Sequence, residues 1–379
     1  MGEYLERTIE KWVREDLLRK MVFVGGPRQT GKTTLAKEMC RQAGFVEQDR
    51  YLSWDVAEDR ENIIREKFPA GDGLLILDEI HKYSRWRQVV KGLFDKRGPG
   101  LQVLVTGSAR LDYYRRGGDS LQGRYHFFRL LPFSLAEVGG QGKEAFSDLF
   151  TYGGFPEPFM MKSERESRRW SREYRTRVIR DDLADLENVH DLGLIENLAL
   201  RLPDLVGSPL SLNALREDLQ VSHQSVARWI GMLENLYLLF RIYPFGAPKI
   251  RAVKKEAKLY MMDWNAVSET GPRFENLVAG HLLKRCFFLQ DVEGREVELR
   301  YFRDIDRREV DFIIVENRKP TLFLECKTKD TGPSISLKYL KKRFPEVAAV
   351  QLLLEGDQDL ETKEGIRICA AHRFLGGLV

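Results

Sequence analysis

The sequence predicts an α/β protein in three parts: a parallel-sheet domain around a phosphate-binding loop, a helical region ending in a winged helix, and a second α/β domain. Three observations carry this. Gly26-Pro27-Arg28-Gln29-Thr30-Gly31-Lys32-Thr33 fits G-x-x-x-x-G-K-[ST], between the apolar stretch Met21-Val22-Phe23-Val24 and a helix opening at Thr34-Leu35-Ala36. Leu74-Leu75-Ile76-Leu77-Asp78-Glu79 is an apolar run ending in two acids, which suits a central parallel strand. Val310–Val315 and Thr321–Lys327 read as two strands bearing Asp, Glu and Lys.

The loop explains itself chemically. Its glycines let successive backbone N–H groups turn toward phosphate oxygens, and the following helix adds its positive end. The ATP-binding set is therefore Gly26, Pro27, Arg28, Gln29, Thr30, Gly31, Lys32, Thr33 and Thr34. Lys32 is placed on the β- and γ-phosphates, and Thr33 takes one position on Mg²⁺. Asp78 holds the Mg²⁺ shell and Glu79 polarises the attacking water. A chance glycine turn and two solvated acids are the plain alternatives, and the strand-to-helix setting speaks against them. The next strand, Leu101–Val105, runs into Thr106-Gly107-Ser108. Ser108 reads equally as a γ-phosphate sensor or as a turn capping the next helix. Arg124 is a candidate for neutralising transition-state charge, although a loop arginine is more often simply solvated.

A chain of 379 residues is too long for one core. Its 43% apolar and 31% charged residues describe a globular protein, and no apolar run reaches the roughly 20 residues that span a bilayer. The start, Met1-Gly2-Glu3-Tyr4, lacks the apolar core of a secretion signal. Cys40, Cys286, Cys326 and Cys369 are scattered without a C-x-x-C pair, so neither a disulfide framework nor a zinc site is expected. The expected setting is cytoplasmic, without a membrane partner. A net charge of +4 is compatible with nucleic acid and does not single it out.

Four regions follow: 1–160 for the phosphate-loop domain, 161–205 as a helical linker, 206–262 as a winged helix-turn-helix, and 263–379 as the last α/β domain. The Gly- and Pro-rich Tyr152–Pro158 suggests the end of the first. The linker carries Arg168, Arg169, Arg172, Arg175, Arg177 and Arg180, a solvated helix face more readily than a phosphate site. Ser211 and Ser222 are placed to cap two helices, the second burying Val226, Trp229 or Ile230, and Leu233. His223, Gln224 and Arg228 face outward, able to meet base edges or phosphates. The segment after the next strand holds Lys249, Arg251, Lys254 and Lys255, a basic tip suited to a DNA backbone. Winged helices also serve as protein-contact modules.

In the last region, Gly271-Pro272 opens a helix with Glu275 in its first turn. A turn around Asn317-Arg318-Lys319-Pro320 joins the two strands. A hairpin closed there sets Asp311 opposite Glu325 to within about one residue. Strand alternation puts Lys327 on the same face as Glu325. Such oxygens suit a second Mg²⁺ or Mn²⁺, with Lys327 orienting water. A cross-strand charge cluster is the plain alternative.

Together these motifs resemble the AAA-superfamily ATPases of the AAA_14/DUF4143 architecture. The resemblance rests on the phosphate loop, Leu77-Asp78-Glu79-Ile80, Thr106-Gly107-Ser108, Leu121-Gln122-Gly123-Arg124, Leu131-Pro132-Phe133-Ser134, Tyr152-Gly153-Gly154-Phe155-Pro156, Arg180-Asp181-Asp182-Leu183, Lys258-Leu259-Tyr260, Phe274-Glu275-Asn276 and Glu309-Val310-Asp311-Phe312. It implies an ATP- and Mg²⁺-dependent AAA-type domain, a winged helix, and a restriction-endonuclease-like domain with a D…E-x-K signature. On that signature fall Asp311, Glu325 and Lys327, with Glu275 as the upstream helical acid. Arg124 falls on the family's G-R step, an arginine-finger or sensor position. Met261-Met262-Asp263-Trp264 departs from the family's Asp-Thr-Gly step. Double-stranded DNA, a second copy or a protein partner are the implied partners. The expected function is ATP hydrolysis coupled to DNA binding or cleavage; the alternative is a nucleotide-gated binding switch with an inactive nuclease-like domain.

Overall fold

The computed structural model describes residues 4–44, 50–69, 71–108, 111, 121–183, 191–246 and 256–378. The chain divides between Pro132 and Phe133 into two compact units.

The first unit is built on five strands: β1 (Met21–Gly25), β2 (Tyr51–Ser53), β3 (Gly73–Asp78), β4 (Leu101–Thr106) and β5 (Tyr125–Arg129). All pair in parallel, in the order β2-β3-β4-β1-β5. Every residue of β1 and all but the first of β3 are buried, which is why these strands read as unbroken apolar runs. Helices α1 (Glu10–Leu17), α2 (Lys32–Gln42) and α3 (Trp86–Lys96) belong to this unit. Parallel pairing brings the carboxyl ends of β1, β3 and β4 to one edge of the sheet. The phosphate loop leaves β1 there, between β4 and β5, where ligand crevices form in such sheets.

The second unit holds two helices where the helix-turn-helix is expected, α5 (Leu212–Leu219) and α6 (His223–Asn235), preceded by the arginine-rich α4 (Glu164–Arg177). The expected serine caps are present, Ser211 accepting from the Ala214 N–H at 3.3 Å and Ser222 from that of Ser225 at 3.0 Å. Val226, Trp229, Ile230, Met232 and Leu233 form the buried face of α6. On α4, Arg168, Arg169 and Arg177 pair with Glu164, Glu166 and Glu173 on their own helix, as a solvated face does.

One eight-stranded sheet completes this unit, in the order β12-β13-β11-β10-β9-β8-β6-β7. Its strands are β6 (Leu239–Pro244), β7 (Lys258–Met261), β8 (Val297–Arg303), β9 (Glu309–Glu316), β10 (Lys319–Lys327), β11 (Ala348–Leu353), β12 (Asp359–Glu361) and β13 (Ile366–Ala370). The pair that follows the helix-turn-helix, β6 and β7, is continuous with β8. The limit drawn at 262 therefore falls inside a single sheet. The compact units themselves meet at Pro132/Phe133, ahead of the limit read at 160. Residues after that junction are tied into the second unit: the Trp264 indole donates to the Leu149 carbonyl at 2.8 Å, and the Leu135 N–H to His281 Nε2 at 3.0 Å. Helix α7 (Thr270–Glu293) opens at Thr270, one residue before the expected Gly271-Pro272, so Glu275 stands in its second turn and not in its first. No helix among the described residues is long and apolar enough to cross a membrane.

Gly26 has φ +142°, and a Cβ there would lie 2.4 Å from the Leu130 carbonyl oxygen. Gly26→Ala must strain or displace the loop, at a cost of about 1–3 kcal/mol. It is expected to lower the thermal midpoint and to weaken ATP binding in an equilibrium titration.

Candidate nucleotide site and C-terminal carboxylate site

Asp78 ends β3 with its side chain buried, and three hydroxyls donate to it. Thr33 reaches Oδ2 at 3.0 Å, Thr106 reaches Oδ1 at 2.6 Å, and Tyr51 bonds Oδ2 as well. Burial and the Asp78 carboxylate push the Tyr51 phenol well above its ordinary range, keeping it a donor. The Lys37 ammonium sits 4.8 Å from the centre of the Tyr51 ring. Thr33 and Asp78 thus meet as a Mg²⁺ shell requires, and the donor set is the all-oxygen kind that this hard cation takes. Sequence reading missed Tyr51, and named Thr106 only within Thr106-Gly107-Ser108.

The loop is braced from behind by another residue that sequence reading missed. The buried Arg7 guanidinium donates to the Thr30 carbonyl at 2.7 Å and to that of Leu131 at 2.5 Å. Lys32 bends back onto the carbonyls of Gly26, at 3.3 Å, and Pro27, at 2.5 Å. Gly31 caps α2 at φ +90° and Gln29 stands at φ +60°.

Glu79 follows Asp78 in the left-handed region, φ +56°, which is uncommon for a non-glycine residue and turns its carboxylate out of the strand. The Lys82 ammonium lies 3.4 Å from it and the buried His81 ring 3.7 Å. Burial raises the Glu79 pKa, against the opposing pull of Lys82 and Lys32. Lys82 also clasps both oxygens of Asp55, at 2.8 and 2.7 Å.

Ser108 lies buried just beyond β4, where its carbonyl accepts from the Leu111 N–H at 2.9 Å, a turn arrangement. Thr106, not Ser108, bonds Asp78. Arg124 stands at the amino end of β5, its carbonyl accepting from the Met21 N–H at 3.1 Å, and its side chain pairs with Asp95 at 2.9 Å. That is the opposite edge of the sheet from the phosphate loop, so Arg124 does not reach its own chain's phosphates.

In the second unit, the predicted hairpin forms. Asn317 and Arg318, both at positive φ, join β9 to β10, and Phe312 pairs with Leu324. Asp311 thus stands beside Glu325 and accepts from the Cys326 N–H at 2.9 Å. Lys327 pairs with Glu325 at 2.8 Å. Glu275 arrives from α7 and accepts from the Tyr260 hydroxyl at 2.7 Å. At the centre is a residue given no role by sequence reading. The Lys258 ammonium, only 1% exposed, lies 2.6 Å from Glu309, 3.3 Å from Glu275 and 3.6 Å from Asp311. Burial acts to lower the Lys258 pKa, but Glu275, Asp311 and Glu309 outweigh it and hold the side chain charged. Burial and then the Asp311 charge push Glu275 and Glu325 up to about 7 each.

The expected second Mg²⁺ or Mn²⁺ finds no support in this arrangement. Among the described residues, no group of three or more His, Cys, Asp or Glu is arranged to hold a metal ion. Repulsion between the acids is relieved by an ammonium and by protonation instead.

Of the DNA-contact candidates, His223, Gln224 and Arg228 are exposed on α6. Lys249, Arg251, Lys254 and Lys255 lie outside the described residues.

Three family matches fit this geometry. Residues 18–139 match the AAA domain AAA_14, residues 143–265 the domain of unknown function DUF8612, and residues 270–374 the domain of unknown function DUF4143. A phosphate loop closing on a strand-end Asp-Glu pair, in a parallel sheet that matches an AAA domain, makes this a P-loop AAA-type architecture. The particular form is that of AAA_14 followed by DUF4143. An uncharacterised Haemophilus influenzae protein is 24% identical over 345 residues, 79% of this chain and 83% of that protein. An uncharacterised Mycobacterium tuberculosis protein is 24% identical over 243 residues; the match spans 64% of this chain and about half, 54%, of that relative. Among solved structures, the Thermotoga maritima RuvB Holliday junction branch migration motor has 17% identity, with 62% of this chain and 90% of that one covered, at a TM-score of 0.31. Aeropyrum pernix ORC1, in complex with DNA, has 12% identity, covering 75% and 95%, at 0.37.

The raised carboxyls have a pH signature. A carboxyl whose folded pKa exceeds its unfolded value stabilises the fold most below the unfolded value, and that contribution is lost as pH rises through the folded one. For Glu275 and Glu325 the window runs from about 4.5 to about 7. Relative to Glu275→Gln/Glu325→Gln, the wild-type denaturation midpoint should fall across this window. Parallel midpoint curves for the two proteins would contradict the burial of these acids.

Proposed function

We propose that this protein is a Mg²⁺-dependent ATPase whose nucleotide state governs contact with DNA, and that its C-terminal domain binds rather than cuts. The observation that carries the ATPase reading is the bond between Thr33 and Asp78, with Glu79 next in line. When bound, Mg²⁺ neutralises phosphate charge; Thr33 and Asp78 are the residues that hold it. Lys32 swings from the loop carbonyls to the phosphates, the loop N–H groups cradle them, and Glu79 orients the attacking water. His223, Gln224 and Arg228 on the exposed face of α6 support contact with a groove, and the basic segment with Lys249, Arg251, Lys254 and Lys255 suits phosphates. The ammonium among the acids supports a domain without cleavage chemistry.

Lys32→Ala is expected to abolish ATP binding, whereas Glu79→Gln keeps binding and lowers turnover by about 100-fold or more. Equal ATPase rates for wild type and Glu79→Gln would remove Glu79 from the mechanism. For DNA, neutralising the four basic residues of the 249–255 segment should weaken binding on every sequence and flatten its salt dependence. Absence of salt-sensitive DNA binding in any nucleotide state would make the helix-turn-helix a protein-contact module.

A second reading, nucleotide-controlled DNA cleavage, is favoured by the convergence of Asp311, Glu325 and Lys327. Supercoiled plasmid with Mg²⁺ or Mn²⁺, with and without ATP, separates the two. Nicking by wild type and not by Asp311→Ala would establish cleavage; intact plasmid is expected.

A further inference from the structure

Lys258 is held in place by more than its charge. Its strand pairs with β6, where Ile242 is its partner, and on the other side Pro209 makes a bridge to it. Leu210 N–H donates to the Ala257 carbonyl at 2.8 Å, next in the chain to Lys258. The backbone is thus pinned from both sides. The stem passes the Tyr301 ring, whose centre lies 5.6 Å from the ammonium. Three carboxylates from two different elements, Glu275 from α7 and Glu309 and Asp311 from β9, close on that ammonium.

Beside them Glu325 is 7% exposed in its side chain. Its Oε1 pairs with Lys327, while its Oε2 is buried with no hydrogen-bond partner. A buried carboxylate oxygen without a donor is costly. It marks ligand capacity that the protein's own cations leave unused.

We infer that Lys258 is the built-in cation of this carboxylate site: its ammonium takes the place of a divalent ion, and the site accepts such an ion only when that ammonium is removed. A single charge at the end of a fixed stem can satisfy Glu275, Glu309 and Asp311 together, whereas a divalent ion at the same point would meet a like charge within the same buried volume. The inference rests on the non-cleaving reading of the C-terminal domain and is tested apart from it, by metal binding rather than by DNA cutting.

The experiment measures Mn²⁺ bound to the nucleotide-free full chain, from loss of the free-Mn²⁺ electron paramagnetic resonance signal. Asp311→Asn serves as the subtraction for this site, since any weak binding at the phosphate loop is common to both members of each pair. Wild type and Asp311→Asn are expected to bind equal Mn²⁺. Lys258→Met should gain a further Mn²⁺ with an affinity at least about ten-fold above that of Lys258→Met/Asp311→Asn. Lys258→Gln replaces the methionine variant if that chain does not fold. Wild-type binding that Asp311→Asn removes would overturn the inference, as would a folded Lys258 variant that binds no more Mn²⁺ than its Asp311→Asn partner. Intact plasmid together with either result would leave the non-cleaving reading standing and remove Lys258 alone.

Discussion

The first unit depends on one buried carboxylate. Asp78 lies at the end of a strand with no polar surface of its own, and a lone charge there would be costly. Thr33 from the start of α2, Tyr51 from β2 and Thr106 from β4 each spend a hydroxyl on it. These bonds stabilise the charge and also fix where three strands and the phosphate loop end relative to one another. The same constraint that makes the sheet edge stable gathers these oxygens beside the phosphate loop. Arg7 extends the brace to the chain's beginning, so the loop is fixed on two sides before any nucleotide arrives.

In the second unit, charge is solved the other way. There the acids outnumber what water can screen, and the fold brings its own cation. Lys258 with Glu275, Glu309 and Asp311, and Lys327 with Glu325, form a closed arrangement in which two of the carboxyls also hold their protons to about pH 7. Breaking such a network by removing one partner strands a buried charge. The acids therefore have a structural reason to persist without any chemistry. The two units thus treat the same raw material differently: hydroxyls around one acid leave an edge open to a ligand, and an ammonium among several acids closes it.

What was legible in the sequence was local. The phosphate loop, the strand ending in Asp78-Glu79, the serine caps of α5 and α6 and the two-residue turn at Asn317-Arg318 are all set by neighbours within a few positions. The turn alone placed Asp311 beside Glu325. What was not legible was convergence from afar. Tyr51 and Thr106 lie 27 and 28 residues from Asp78, and Arg7 lies 124 from Leu131. Lys258 stood in the sequence only as the first residue of the Lys258-Leu259-Tyr260 motif, without a role, because a lysine opening a strand reads as a solvated end until β6 and Pro209 bury it. Ties across the limits read at 160 and 262 were not legible either. Gly- and Pro-rich segments look like boundaries, but Trp264 and the β6–β8 pairing tie across them, and such ties leave no local trace.

The central claim is that Asp78 organises a Mg²⁺-dependent ATP-hydrolysing site. Phosphate release from ATP by the full chain, measured across a Mg²⁺ titration for wild type and Asp78→Asn, tests it most directly. Wild type is expected to release phosphate in a Mg²⁺-dependent way, and the variant at a rate at least about 100-fold lower even at saturating Mg²⁺. Equal release by the two proteins, or wild-type release indifferent to Mg²⁺, would contradict it.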